Sequence, residues 1–117
     1  MIELERKLKE YPTLAKVPVA VVHGRAVTAE ELLELVKRGD PEAVRAARRL
    51  GLDPTPEETK LLAKEFWRRL PPNVKVFVLG VGYLTKDEIL RAIDLDTPLG
   101  KKLVRAYERL LREYGLA

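Results

Sequence analysis

Helix start signals recur along this chain, and they constrain its fold more than any other feature. A Thr-x-x-Glu motif begins at Thr28, Thr55 and Thr85. In this capping box the threonine hydroxyl accepts a hydrogen bond from the glutamate amide, and the glutamate carboxylate accepts one from the threonine amide. Asp40-Pro41 and Thr97-Pro98 add two starts in which a capping side chain precedes a proline at the first helical position. The sequence therefore predicts short, individually capped helices.

The stop signals that follow these starts fix the other ends of the predicted helices. Glycines at positions 39, 51 and 115 are suited to the left-handed conformation that commonly ends a helix. A first helix, before any of the capped ones, ends at Tyr11-Pro12. We expect six helices, over about 2–10, 28–38, 41–50, 55–70, 85–93 and 97–114.

Two stretches rich in β-branched residues predict strands. Residues 17–22 form the first, and His23-Gly24 then allows either a small hairpin with residues 25–27 or an irregular link. Residues 74–79 form the second and most apolar stretch, which predicts a buried strand. Because two short strands make a marginal sheet in water, we expect 17–22 and 74–79 to pair with each other, or to complete a sheet with a second copy.

The predicted fold class is mainly α with a small β component (α+β), with about six helices around two or three short strands. A length of 117 residues fits a single domain, 1–117. The absence of Ser, Gln and Cys, a single Asn, eight prolines and 34% charged residues are typical of a thermophile protein. The charged N-terminal helix and the lack of a long apolar run lead us to expect a cytoplasmic protein without a membrane partner.

Composition also limits the catalytic and metal-binding chemistry that the side chains can support. The lack of Cys excludes disulfides, iron–sulfur clusters and thiol nucleophiles, and a lone histidine cannot build a histidine metal site. His23 could act as a base, but the sequence reveals no partner for it. Asp94 and Asp96 could hold Mg²⁺, although short acidic residues also favour turns. We expect a protein that is not an enzyme and carries no cofactor or metal.

The glycines that follow the predicted second strand invite a phosphate-loop interpretation. Gly80-Val81-Gly82 stands between a predicted strand and a helix start, where backbone amides could face an anion. Thr85 occupies the place of the third glycine of a dinucleotide-binding motif. The pattern therefore favours a sharp strand-to-helix turn.

The last helix carries a basic stripe beside its apolar one. Leu99, Leu103, Ala106, Tyr107, Leu110 and Tyr114 share the predicted buried face. The basic residues away from that face are Lys101, Lys102, Arg105, Arg109 and Arg112. Arg45, Arg48 and Arg49 form a second basic patch. Such a stripe suits contact with phosphates, and it is also common on an ordinary solvated helix.

Residues 84–98, LTKDEILRAIDLDTP, are similar to the first half of a helix-turn-helix unit of the winged-helix kind. The similar features are an acidic-capped helix with apolar Ile89 and Ile93, the apolar turn residue Leu95, and a capped second helix that ends in Gly-Leu. The resemblance implies that 98–114 is a recognition helix whose Lys101, Lys102 and Arg105 approach a DNA groove. Gly100 departs from it, since an aliphatic residue is usual there. We expect a wing either to come from the N-terminal strands or to be missing.

The leading hypothesis is thus a small thermophile DNA-binding protein, a candidate transcriptional regulator that forms a homodimer through its strand region. The alternative is a non-enzymatic structural or protein-interaction module, such as a subunit or adaptor of a larger assembly or of a virion. An enzyme is a distant third.

Overall fold

The computed structural model describes residues 2–50 and 55–116, and within these ranges helices predominate. Two antiparallel hairpins and a 3₁₀ helix over Pro12–Lys16 complete the secondary structure. The helices are α1 (Ile2–Glu10), α2 (Ala29–Lys37), α3 (Pro41–Arg48), α4 (Pro56–Arg68), α5 (Lys86–Asp94) and α6 (Pro98–Glu113). The strands are β1 (Pro18–Val22), β2 (Arg25–Thr28), β3 (Val76–Val78) and β4 (Gly82–Leu84). The predicted α+β, mainly helical class is confirmed.

The capping motifs form the hydrogen bonds expected of them. Thr28 Oγ1 accepts from the Glu31 amide at 3.3 Å, and Glu31 Oε1 accepts from the Thr28 amide at 2.8 Å. The boxes at Thr55 and Thr85 repeat this reciprocal pair. Asp40 Oδ1 accepts from two amides of the first turn of α3, at 3.0 and 3.1 Å. Local capping chemistry therefore sets the starts of α2 to α5.

The first strand segment is a hairpin and not a strand with an irregular link. β1 pairs antiparallel with β2, and the connection is the two-residue turn His23-Gly24. Both residues have positive φ, 52° and 75°. Positive φ at both central positions defines the type I′ turn, whose twist matches that of the flanking strands.

The prediction for residues 74–79 is wrong in two respects. The strand is shorter, Val76–Val78, and it pairs with β4 and not with 17–22. It is also not fully buried, because Phe77 and Leu79 face outward, where no second layer of described residues covers them. Gly80 and Gly82, with φ of 85° and 109°, belong to this hairpin. The glycine stretch therefore leads into a second strand and not directly into a helix.

One predicted helix end falls outside the described residues. The stop at Gly51 and the Asp53-Pro54 part of the following turn lie in 51–54. The described part of α3 ends at Arg48, with Arg49 as its C-cap.

The described core consists of two clusters that meet along α6. The larger one joins α1, α2, α4 and β1, and it includes Leu14, Leu32 and Tyr107. The smaller one packs the inner side of the β3–β4 hairpin against α5 and α6, through Ile89, Ile93 and Leu103 among others. None of the described helices is long and apolar enough to cross a membrane.

Tyr107 ties α6 to the N-terminal hairpin. Its hydroxyl donates to the Pro18 carbonyl at 2.5 Å, and the residue is almost fully buried. Burial raises the pKa of this phenol well above its usual range, so the hydroxyl stays protonated and remains a donor.

Tyr107→Phe is expected to lower the free energy of unfolding by about 1–2 kcal/mol, because a buried carbonyl loses its donor. Tyr114→Phe is the matched control, since the Tyr114 hydroxyl meets Thr13 Oγ1 at 2.8 Å in an exposed position. That change should alter stability by no more than about 0.5 kcal/mol. Denaturant midpoints measure both variants, and equal losses would contradict the expected difference.

Candidate nucleic-acid interface

The basic stripe of α6 lies on the side of the helix opposite to its buried face. Lys101, Lys102, Arg105, Arg109 and Arg112 are all exposed. They span positions 101–112, which is about 16 Å along a helix axis. The buried residues of the same helix are Gly100, Leu103, Tyr107 and Leu111. The buried face predicted from the sequence is therefore rotated slightly about the helix axis from the observed one. Its members Leu99, Ala106, Leu110 and Tyr114 are only half-buried.

The cations of this stripe have no carboxylate at salt-bridge distance within the described part of the chain. None of its five cations forms a salt bridge with a carboxylate in residues 2–50 or 55–116. On the neighbouring α4 and at its C-cap, by contrast, all four described cations do: Lys60, Lys64, Arg68 and Arg69. The α6 stripe therefore has its charges available to an external anion.

The N-terminal end of α6 adds to the attraction for anions. Among the six described α-helices, α6 alone has no acidic residue in its first turn. Lys101 and Lys102 follow that turn directly, although cations near a helix N-terminus oppose the helix dipole. Thr97 Oγ1 accepts from the Gly100 amide at 3.0 Å and caps the helix without adding negative charge. The positive charges at this end of α6 reduce the stability of the helix, but they favour the binding of an anion.

The second basic patch lies on a helix with different neighbours. Arg45, Arg48 and Arg49 are exposed at the end of α3, and no salt bridge involves them within the described residues. α3 packs against α2 and β1, whereas α6 packs against α4 and α5. The two patches therefore belong to different packing units of the fold.

α5 and α6 form a closely packed pair joined by three residues. A Cβ atom at Gly100 would stand 2.1 Å from the Ala92 carbonyl oxygen, so glycine permits the close approach of the two helices. The same carbonyl accepts hydrogen bonds from the Thr97 amide at 3.3 Å and from Thr97 Oγ1 at 3.0 Å. Leu95, in the connection, is exposed. The close approach of α5 leaves no room at position 100 for the aliphatic residue that is usual there in helix-turn-helix units.

A β-hairpin lies beside the basic stripe. Lys102 Nζ donates to the Leu79 carbonyl at 3.2 Å, so the β3–β4 loop adjoins the first turns of α6. The N-terminal hairpin instead packs against α4 and α3. The ribbon next to the basic first turns of the predicted recognition helix is thus formed by residues 76–84, which precede it, whereas the N-terminal hairpin meets α6 on its buried face, through Tyr107.

The carboxylates predicted as a possible Mg²⁺ pair are bound to lysines. Asp94 Oδ1 lies 2.5 Å from Lys64 Nζ, and Asp96 Oδ1 lies 3.2 Å from Lys60 Nζ. These ion pairs join the end of α5 and the α5–α6 connection to α4. Within the described ranges no group of three or more His, Asp or Glu side chains could hold a metal ion.

His23 has a partner that sequence inspection missed. His23 Nε2 lies 2.7 Å from Asp40 Oδ2, and the His23 amide donates to the Glu42 carboxylate. Seventeen residues separate His23 from Asp40, and no local pattern signals their approach, since the packing of α3 on β1 creates it. Asp40 therefore both caps α3 and binds the turn of the first hairpin.

This pair makes stability depend on pH. The hydrogen bond with Asp40 raises the pKa of His23 above 6.5, and the same bond lowers the pKa of Asp40 below 3.8. The stabilisation from His23 is fully present below its unfolded pKa, about 6.5, and is lost as pH rises through the higher folded value. The stabilisation from Asp40 is lost as pH falls through its lowered folded pKa.

We expect the native chain to lose its thermal advantage over His23→Asn as the pH rises from about 6.5 through the raised folded pKa of His23. Asparagine tolerates the positive φ of this turn position but does not titrate, so the comparison isolates the imidazole. Melting temperatures of both proteins across this range measure the effect. A difference between the two that stays constant with pH would contradict the assignment.

Comparison of the chain with models of protein families, with curated protein sequences and with solved structures finds no match.

Proposed function

We propose that the protein binds duplex DNA through the exposed basic stripe of α6. The observation that carries this proposal is the set of five cations on one side of one helix, all exposed and none in a salt bridge with described residues. Arg and Lys contacts to phosphates supply most of the affinity of nonspecific DNA binding. The stripe is continuous over three helical turns, which suits a row of phosphates along a groove.

α6 then acts as the recognition helix of a helix-turn-helix-like pair. Lys101, Lys102 and Arg105 lie at its N-terminal end, the end that such units direct toward base edges. Arg109 and Arg112 would contact the flanking backbone. A role as a transcriptional regulator accords with this arrangement, and Arg45, Arg48 and Arg49 supply a second group of cations for contact with the same duplex.

Salt dependence tests the proposal. Fluorescence anisotropy with a labelled duplex should show binding at about 50 mM salt and an affinity roughly 10²- to 10³-fold lower at 200 mM, as expected for five phosphate contacts. A protein that leaves the anisotropy unchanged at low salt and micromolar concentration does not bind duplex DNA, and the proposal then fails.

A second candidate function is that of a structural or protein-interaction module. The exposed apolar surface of the β3–β4 hairpin favours it, because such surfaces commonly mark interaction sites. The two functions differ in their chemistry, since salt weakens a phosphate contact but does not weaken an apolar one.

A further inference from the structure

The β3–β4 hairpin is apolar on both faces. Its inner face, with Val78 and Leu84 buried, packs against α5 and α6. Its outer face consists of Phe77, Leu79, Val81 and Tyr83, which are 57%, 78%, 52% and 71% exposed. An antiparallel sheet with one solvated face normally alternates apolar and polar residues. The outer face is apolar, like a protein surface that another molecule covers.

The size of the outer face matches the apolar part of a protein interface. From their exposed fractions, the four side chains offer on the order of 500 Å² of accessible surface. A stable interface buries about 800 Å² on each partner, of which about 60% is apolar. The outer face therefore provides the apolar area that one side of a standard interface requires.

The charges around the outer face are of both signs. Lys75 and Lys86 flank the hairpin, and Asp87 and Glu88 follow it at the start of α5. The hydrogen bond from the Thr85 amide is the main cause of the lowered pKa of Glu88, and Lys75 is close enough to add to it. An anionic lipid surface would be matched by a rim of one sign. A rim with both signs suits a partner that carries the same mixture.

We propose that the outer face binds the outer face of a second copy of this chain, forming a twofold-symmetric dimer. Phe77 and Tyr83 are directly paired across the strands, with ring centroids 5.2 Å apart, and Leu79 and Val81 lie beyond them at the tip. A twofold axis that lies in the plane of the contact, perpendicular to the strands, places the aliphatic pair of one copy on the aromatic pair of the other. Large side chains then meet small ones, as close packing requires.

Dimer formation also gives the hairpin the second layer that it lacks. A two-stranded hairpin is marginal in water, whereas one packed on both faces is supported from both sides. This inference does not depend on the proposed binding of DNA, since the dimer forms through the hairpin and is measured without nucleic acid.

Sedimentation equilibrium of the full chain at micromolar concentration tests the proposal. The expected mass is twice the chain mass of 13.3 kDa. Leu79→Lys places a charge in the apolar contact and should weaken dimerisation at least about 100-fold. Tyr83→Lys, on β4, should have the same effect.

Leu95→Lys is the matched control, because Leu95 is 62% exposed but lies in the α5–α6 connection, outside the hairpin. It should remain dimeric. Since these three positions are exposed, melting temperatures should show that every variant is folded. A native chain that sediments as a monomer overturns the proposal, and so does a dimer that survives both hairpin substitutions. A monomer that instead floats with anionic vesicles would assign the outer face to lipid and would equally overturn it.

Discussion

Replacing Gly100 with alanine is expected to lower the free energy of unfolding by about 1–3 kcal/mol, even though alanine is the better helix former by about 1 kcal/mol. The added Cβ would stand 2.1 Å from the Ala92 carbonyl oxygen and 2.9 Å from the Ile93 Cα. These are backbone atoms of α5, so no side-chain rotation can relieve the overlap. α5 must move away from α6, and the hydrogen bonds from Thr97 to the Ala92 carbonyl weaken as it moves.

Lys101→Ala is the control for this substitution. It lies one position along the same helix, is exposed, and adds no atom to the α5–α6 contact. Its effect on stability should be within about 0.5 kcal/mol. Denaturant unfolding of both variants gives the comparison. A stabilised Gly100→Ala protein would show that the helices separate freely, which would contradict the close packing of α5 on α6. Gly100→Leu, which introduces a larger aliphatic side chain at the same contact, should destabilise the protein still more.

The parts of the fold that depend on local chemistry could be predicted from the sequence. The starts of α2 to α6 follow from side chains that cap amides two or three residues ahead, as at Thr28 and Asp40. The turn at His23-Gly24 and the basic face of α6 are local in the same sense. Each of these features requires only nearby residues, so the sequence contains the information needed to predict it.

The features that depend on tertiary packing could not be predicted in this way. Residues 76–84 form an unbroken run of apolar residues and glycines, and the pattern alone does not tell a buried strand from a hairpin with one uncovered face. Gly82-Tyr83-Leu84 is too short to be recognised as a strand before its partner is known. The closeness of Gly100 to Ala92 and the pairing of His23 with Asp40 likewise arise only when separate elements pack. The candidate stripe could be predicted, but its freedom from salt bridges with described residues could not.

The triple substitution Lys102→Ala, Arg105→Ala and Arg109→Ala is expected to weaken the proposed DNA binding about 100-fold or more at low salt. Each cation that contacts a phosphate releases a counterion, so removing three of them should also reduce the slope of log affinity against log salt by roughly 3. All three residues are exposed and lie opposite the buried face of α6. Alanine maintains the helix, so the loss should not arise from unfolding.

A second triple variant tests whether DNA binding depends on the α6 stripe or on the overall positive charge of the protein. Lys9→Ala, Lys37→Ala and Arg25→Ala also remove three positive charges, but from exposed positions on α1, α2 and β2. If the α6 stripe makes the contacts, this control should retain its salt slope and most of its affinity, because separated charges act only through the overall field. Equal losses in the two variants would mean that the net charge of +4, and not the stripe, attracts the duplex.

A third variant with Arg45, Arg48 and Arg49 changed to alanine then tests whether the α3 patch contacts the same DNA. A reduced slope here as well would extend the interface across both packing units, whereas an unchanged slope would confine it to α6.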